Sequence, residues 1–255
     1  MLDRYTKITL LGAIPFVMLI AAGQTQAQVF ELRTYTTNEG KLDDLHSRFR
    51  DHTVKLFEKH GIKNIGYWVP TDQQKSKNTL IYVLEHKSRD AAAASWKAFV
   101  GDPDWKKAYK ASRTDGPLLA KAPESVYMSA TDYSPNFKAG EQSKDAVYEL
   151  RIYRTNEGKL PGLDSRFRDH TIKLFDQHGL ASVAYWHPTK KPDSTNTLIY
   201  ILRHSSRDAA KTAWKAFGTD PAWRKVAKES QKDGAFLRER PESIYMKPTD
   251  YSALK

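Results

Sequence analysis

Residues Val29 to Ser134 recur as Val147 to Ser252 without a gap, at a constant offset of about 118 residues and with roughly six positions in ten identical. A chain that spells one unit twice must fold as two like units. The copies differ most where side chains touch little: Asp72-Gln73-Gln74-Lys75 stands against Lys190-Lys191-Pro192-Asp193, as expected of an exposed turn. A solenoid would need more and shorter repeats. Residues 135–146 are polar and short, a linker between two closely associated domains at 28–134 and 147–252.

Within a copy the periodicities read strand, helix, strand, strand, helix, strand. VFELRTY opens as a strand and turns at Asn38-Glu39-Gly40. A helix follows from Lys41 to Lys59, with Leu42, Leu45, Phe49, Leu56 and Phe57 as its apolar stripe and Gly61 as its stop. NIGYWVP and TLIYVLEH are the middle strands. Ser88 is the expected N-cap of the second helix, which breaks at Asp102-Pro103 into a shorter one, and SVYMSA is the last strand. This order is the ferredoxin-like βαββαβ arrangement of the α+β class, a four-stranded antiparallel sheet with helices on one face. Its other face needs cover, because TLIYVLEH is apolar on both sides. The second copy can supply it, so the two repeats are expected to close into one intramolecular, pseudo-dimeric α/β barrel.

The first 27 residues stand apart. Arg4 and Lys7 precede an apolar run from Ile8 to Ala22, and Thr25-Gln26-Ala27 offers the small residues of a cleavage site. They read as a secretory signal, making the protein exported, periplasmic or secreted. There is no cysteine, which excludes disulfides, thiolate metal sites and a cysteine nucleophile. The formal net charge is +11, but the basic residues alternate with acids, so nucleic acid is not an expected partner and membrane contact is at most peripheral.

Glu31-Leu32-Arg33-Thr34-Tyr35, Gly40, Lys59-His60-Gly61, Gly66-Tyr67-Trp68 and Asp102-Pro103-x-Trp105 together resemble the NIPSNAP domain. Glu149-Leu150-Arg151-Ile152-Tyr153, Gly158, His178-Gly179, Tyr185-Trp186 and Asp220-Pro221-x-Trp223 repeat the pattern, with Ala184 in place of Gly66 as a minor departure. The resemblance implies the dimeric α/β-barrel fold. It implies no single reaction, since that superfamily includes haem-degrading and cofactor-free monooxygenases as well as other members.

Glu31, Arg33 and Tyr35 alternate along one strand and share one face of the sheet, as do Glu149, Arg151 and Tyr153. They form either an ion network that fixes how the two sheets dock or part of a ligand site. Breaking a buried ion pair costs about 3–5 kcal/mol, so structure alone can retain one. His52 follows Phe49 by three residues and precedes Leu56 by four, a spacing that faces the sheet, and His170 repeats it. The resemblance puts a ligand cavity between sheet and helices. A buried imidazole there could act as general base, ligand orienter or axial ligand, so His52 and His170 are the candidate catalytic residues and haem is a candidate cofactor. The alternative is a core histidine bonded to a backbone carbonyl. His60 and His178 suit helix C-termini, and no dedicated metal site is expected. Tyr67, Trp68 and Trp96, with Tyr185, Trp186 and Trp214, are core residues or cavity walls. An aromatic pocket holding one histidine and one arginine suits a planar anion.

Three functions follow in order. The first is an exported small-molecule-binding module for an apolar, aromatic or planar anionic ligand. The second is a monooxygenase or haem-degrading enzyme, and the third an interaction scaffold at the envelope. Association of the pseudo-dimer into larger assemblies stays open.

Overall fold

The computed structural model describes residues 27–136 and 145–254, so the signal segment and most of the linker lie outside the described residues. The first copy runs β1 (Val29–Thr36), α1 (Leu42–Arg48), a π-helical turn (Phe49–Thr53), α2 (Val54–Lys59), β2 (Lys63–Pro70), β3 (Thr79–His86), α3 (Arg89–Gly101), α4 (Pro103–Ala111) and β4 (Glu124–Ala130). The second runs β5 (Val147–Arg154), α5 (Leu160–Arg166), a π turn (Phe167–Thr171), α6 (Ile172–Gln177), β6 (Ala181–Pro188), β7 (Thr197–His204), α7 (Arg207–Thr219), α8 (Pro221–Ser230) and β8 (Glu242–Pro248). Ser88 Oγ accepts from the Ala91 N–H at 3.0 Å, so the expected cap forms, and at the Asp102-Pro103 break Asp102 caps the shorter helix by accepting from Asp104 N–H at 2.7 Å. Among the described residues no helix is long and apolar enough to cross a membrane.

The eight strands close into one antiparallel barrel in the order β1-β3-β2-β8-β5-β7-β6-β4. Six contacts between neighbouring strands lie within a copy, and two short seams join the copies. At one seam Trp68 pairs with Pro248 and Pro70 with Met246; at the other Met128 pairs with Pro188 and Ala130 with Trp186. Strand alternation sends Phe30 and Leu32 into the barrel and Glu31, Arg33 and Tyr35 out towards the helices. Inside, the copies interleave: Phe30 meets Trp186 at 5.7 Å between ring centroids, and Trp68 meets Tyr148 at 5.4 Å. The expected mutual burial of the two open sheet faces is therefore what fills the barrel.

Each copy also ends in a strap, Thr131-Asp132-Tyr133-Ser134 or Thr249-Asp250-Tyr251-Ser252, that grips the other copy. Ser252 Oγ accepts from Tyr67 N–H and Ser134 Oγ from Tyr185 N–H, both at 2.9 Å. Asp250 takes a bidentate fork from Arg50, and Asp132 one from Arg168. Exposed Arg50 and Arg168 thus serve the junction between the halves.

The π turn changes one expectation. It inserts a residue into the helical count, so the buried partner that follows Phe49 is Thr53, 1% exposed, whose Oγ1 donates to Arg48 O at 3.1 Å. His52 turns to solvent, and His170 does the same behind Phe167. Neither imidazole faces the sheet.

Gly66 is a larger departure from its counterpart than the sequence implied. A Cβ there would lie 2.4 Å from the Trp68 indole, which folds over the bare backbone and is fully buried. Ala184 occupies the same place in the second copy without that demand. Gly66→Ala is expected to force Trp68 off its seat and cost about 1–3 kcal/mol, the range for overpacking, seen as a fall in the urea midpoint. Ala184→Gly should change it far less, and equal effects would show that the indole is free to move.

Candidate functional site

Between sheet and helices each half holds a buried polar constellation. Glu31, 0% exposed, accepts from Arg33 Nη1 (2.5 Å), Ser125 Oγ (2.6 Å), Trp96 Nε1 (2.8 Å) and His86 Nε2 (3.1 Å). Glu149 repeats this with Arg151 (2.6 Å), Ser243 (2.6 Å), Trp214 (2.7 Å) and His204 (3.0 Å). Burial alone would raise both carboxyls. The hydrogen bonds and the adjacent guanidinium outweigh it and hold each at about 2. All members of each network belong to one half, joining β1, β3, β4 and α3, or β5, β7, β8 and α7. The expected ion network between the two sheets is therefore corrected to a network within each half, which pins a helix to its own sheet. The indoles Trp96 and Trp214 stack on Arg33 and Arg151, with Cζ 4.5 and 4.3 Å from the ring centroids.

These arginines point onward. Arg33 Nη2 donates to the Tyr35 hydroxyl at 3.4 Å and Arg151 Nη2 to that of Tyr153 at 3.2 Å. Beyond Tyr153 lies a cleft of about 260 Å³ lined by Tyr153, Arg166, Phe175, Phe217, Trp223 and Gln231, among others. Of the residues expected to form a pocket, Tyr153 lines it directly and Arg151 reaches it through the tyrosine hydroxyl. Trp68 and Trp186 lie inside the barrel. Tyr67 and Tyr185 are fully buried beneath the helices, stacked on Tyr82 and Tyr200.

Sequence reasoning missed Arg48 and Arg166. They are 5% and 6% exposed, yet no carboxylate pairs with either among the described residues, and each Nε lacks a hydrogen-bond partner there. The guanidinium of Arg48 reaches Ser112 Oγ at 3.3 Å and lies 5.3 Å from the Trp105 ring centroid and 5.5 Å from that of Tyr109. Arg166 reaches Ser230 Oγ at 3.5 Å and lies 5.2 Å from Trp223 and 4.9 Å from Phe236. Burial pulls both pKa values down. The signal lay in the motif Arg-Phe-Arg, where one arginine is exposed and the other turned inward.

The anticipated histidine is missing from the cleft. His52 and His170 are exposed, and the buried imidazoles His86 and His204 give their Nε2 to glutamates. No histidine lines the cleft, so the residues present do not fit a histidine-ligated haem. His60 and His178 bond Asp102 and Asp220, each at 2.7 Å, and so tie the end of one helix to the cap of another. A wider, open groove of about 1020 Å³ lies outside the second half, where Asp164 Oδ1 holds His187 Nε2 at 3.0 Å and accepts from the Tyr133 hydroxyl at 2.6 Å.

Because Glu31 and Glu149 sit near 2 when folded against an ordinary 4.5, the unfolded chain takes up protons first on acidification. Their stabilisation is complete above pH 4.5 and disappears as the pH falls through 2, on the order of 3 kcal/mol for each carboxylate. Urea midpoints measured across that window should fall accordingly, and Glu31→Gln should be less stable at pH 7 while showing a shallower decline. A flat profile would contradict the assignment.

The NIPSNAP family model matches the chain twice, over residues 30–135 and 148–253. Among solved structures, a proposed monooxygenase of Fusobacterium nucleatum is similar at a TM-score of 0.60 and 10% identity, over 90% of this chain and 94% of its own. Another from Lactobacillus acidophilus is similar at a TM-score of 0.54 and 9% identity, over 88% and 94%. At such identities the likeness shows the fold alone. A NIPSNAP family protein of unknown function from Agrobacterium tumefaciens is 25% identical over 45% of this chain and 97% of its own, with a TM-score of 0.38. No curated protein is similar to the chain.

Proposed function

The chain belongs to the NIPSNAP family, and from that premise we propose that it is a small-molecule-binding barrel that takes a planar, anionic aromatic ligand beside Arg166. One observation carries this reading: Arg166 is a buried cation on a cleft wall with no carboxylate partner among the described residues. An ion withdrawn from water costs several kcal/mol unless a counter-charge accompanies it. Glu149 answers Arg151 nearby, but nothing comparable answers Arg166. A carboxylate, sulfonate or phenolate entering the cleft would supply the missing charge, and Arg presents it with a planar fork.

The rest of the lining sets the shape. Phe175, Phe217 and Trp223 provide flat apolar walls, and Tyr153 supplies a hydroxyl already held by Arg151. At about 260 Å³ the cleft falls just below the range of drug-sized sites, so a ligand of one or two fused rings suits it.

Calorimetry with 2-naphthoate and its neutral relative 2-naphthalenemethanol tests the reading. The anion is expected to bind at least about tenfold tighter, and Arg166→Met should erase that margin while leaving the alcohol unchanged. Equal affinity of the intact protein for both compounds would sink it.

Export belongs to the same proposal. It is supported by the basic start, the apolar run and the small residues before Ala27. N-terminal sequencing of the protein recovered from outside the cytoplasm should begin at Gln28; an intact Met1 there would refute cleavage.

A further inference from the structure

We infer that only the second half offers an open ligand site, because the aromatic ring that covers the buried arginine comes from a different element in each half. This rests on the ligand reading above and adds the number of sites and the residue that controls access.

In the first half the cover is Tyr109, on α4. It stands 5.5 Å from the Arg48 guanidinium and is 41% exposed, so it spans the way from the arginine to solvent. Arg113 fastens it there, donating to its hydroxyl at 2.6 Å and lying 4.7 Å over its ring. Leu118, fully tucked in at 1% exposure, supplies no ring from the loop that follows.

In the second half the place of Tyr109 is taken by Ala227, and the ring comes instead from that loop, as Phe236 at 4.9 Å from Arg166. A third position changes with these two. Phe236 lies against Gly162, where a Cβ would be 3.0 Å from the ring; the first copy has Asp44 there. Gln231 replaces Arg113 and becomes the brace of the new arrangement: its Oε1 accepts from Phe236 N–H at 3.1 Å, and its Nε2 donates to Ala227 O at 3.2 Å. Asp44, Tyr109, Arg113 and Leu118 have thus been exchanged for Gly162, Ala227, Gln231 and Phe236 as a set. The exchange takes the covering ring off α8 and sets Phe236 against Arg166, outside the lining of the cleft; Ala227, one turn before the cleft residue Gln231, carries only a methyl group where the first half has the Tyr109 ring. Tyr109 is therefore a built-in stopper, and Ala227 is the residue that sets access and specificity.

Titration calorimetry with 2-naphthoate on the full chain is expected to give about one molecule per chain for the wild type. Ala227→Tyr should abolish that binding, and Tyr109→Ala should add a second site. Two equivalent sites in the wild type, or full binding by Ala227→Tyr, would overturn the inference while leaving the ligand reading intact. A readout free of the organic probe is an iodide soak of wild-type crystals, with an anomalous peak expected beside Arg166 and none beside Arg48. Equal peaks at both arginines overturn the single-site inference alone. No iodide and no naphthoate at Arg166 overturns both it and the reading it rests on.

Discussion

A four-stranded sheet with helices on one side leaves a flat apolar face that water cannot be allowed to wet, and everything in this molecule follows from how that face is covered. Phe30 reaches across to Trp186 and Trp68 to Tyr148, so the inner faces of the two copies are one core and not two. With the middle of the barrel committed to packing, the buried ion pairs of the strands stand in the layer beneath the helices. That is where Glu31, Arg33 and Tyr35 and their counterparts stand, and where any small molecule must compete with side chains for room.

Two kinds of buried charge share that layer and behave differently. The glutamates are saturated, each with donors from a histidine, an arginine, a tryptophan and a serine, and such a network is structural. The inward arginines are not saturated. Stacked indole and phenyl rings ease the cost of keeping a guanidinium from water, yet rings offer no formal charge. This imbalance is common to both halves, and the cleft beside Arg166 is what sets the second half apart.

Much of the architecture was readable from the letters. The gapless repeat gave the two-fold arrangement, strand alternation put Glu31, Arg33 and Tyr35 on one face, and Ser88 and Asp102 announced their helices. The site was harder. Phe49, Leu56 and Phe57 lie on one stripe whether or not a π turn intervenes, so spacing alone could not choose between His52 and Thr53 as the inward residue. Arg48 and Arg166 read as ordinary helical cations, because the rings that shelter them come from elements more than fifty residues further on. Trp68 and Trp186 read as core residues or cavity walls; the seam between the halves, invisible within one copy, makes them core, inside the barrel. Gly66 passed for a neutral difference since its tightness depends on a tryptophan rotamer.

The crossed straps have a further implication. Each copy carries at its end the clasp that fastens the other, the same reciprocal exchange that a two-fold homodimer of single copies would make. In a homodimer both subunits read one gene, so any residue altered at one site is altered at its mate. Placing both copies on one polypeptide removes that obligation. Gly66 against Ala184 and Tyr109 against Ala227 are differences that a symmetric homodimer could not hold, and a single polypeptide leaves each half free to diverge from the other.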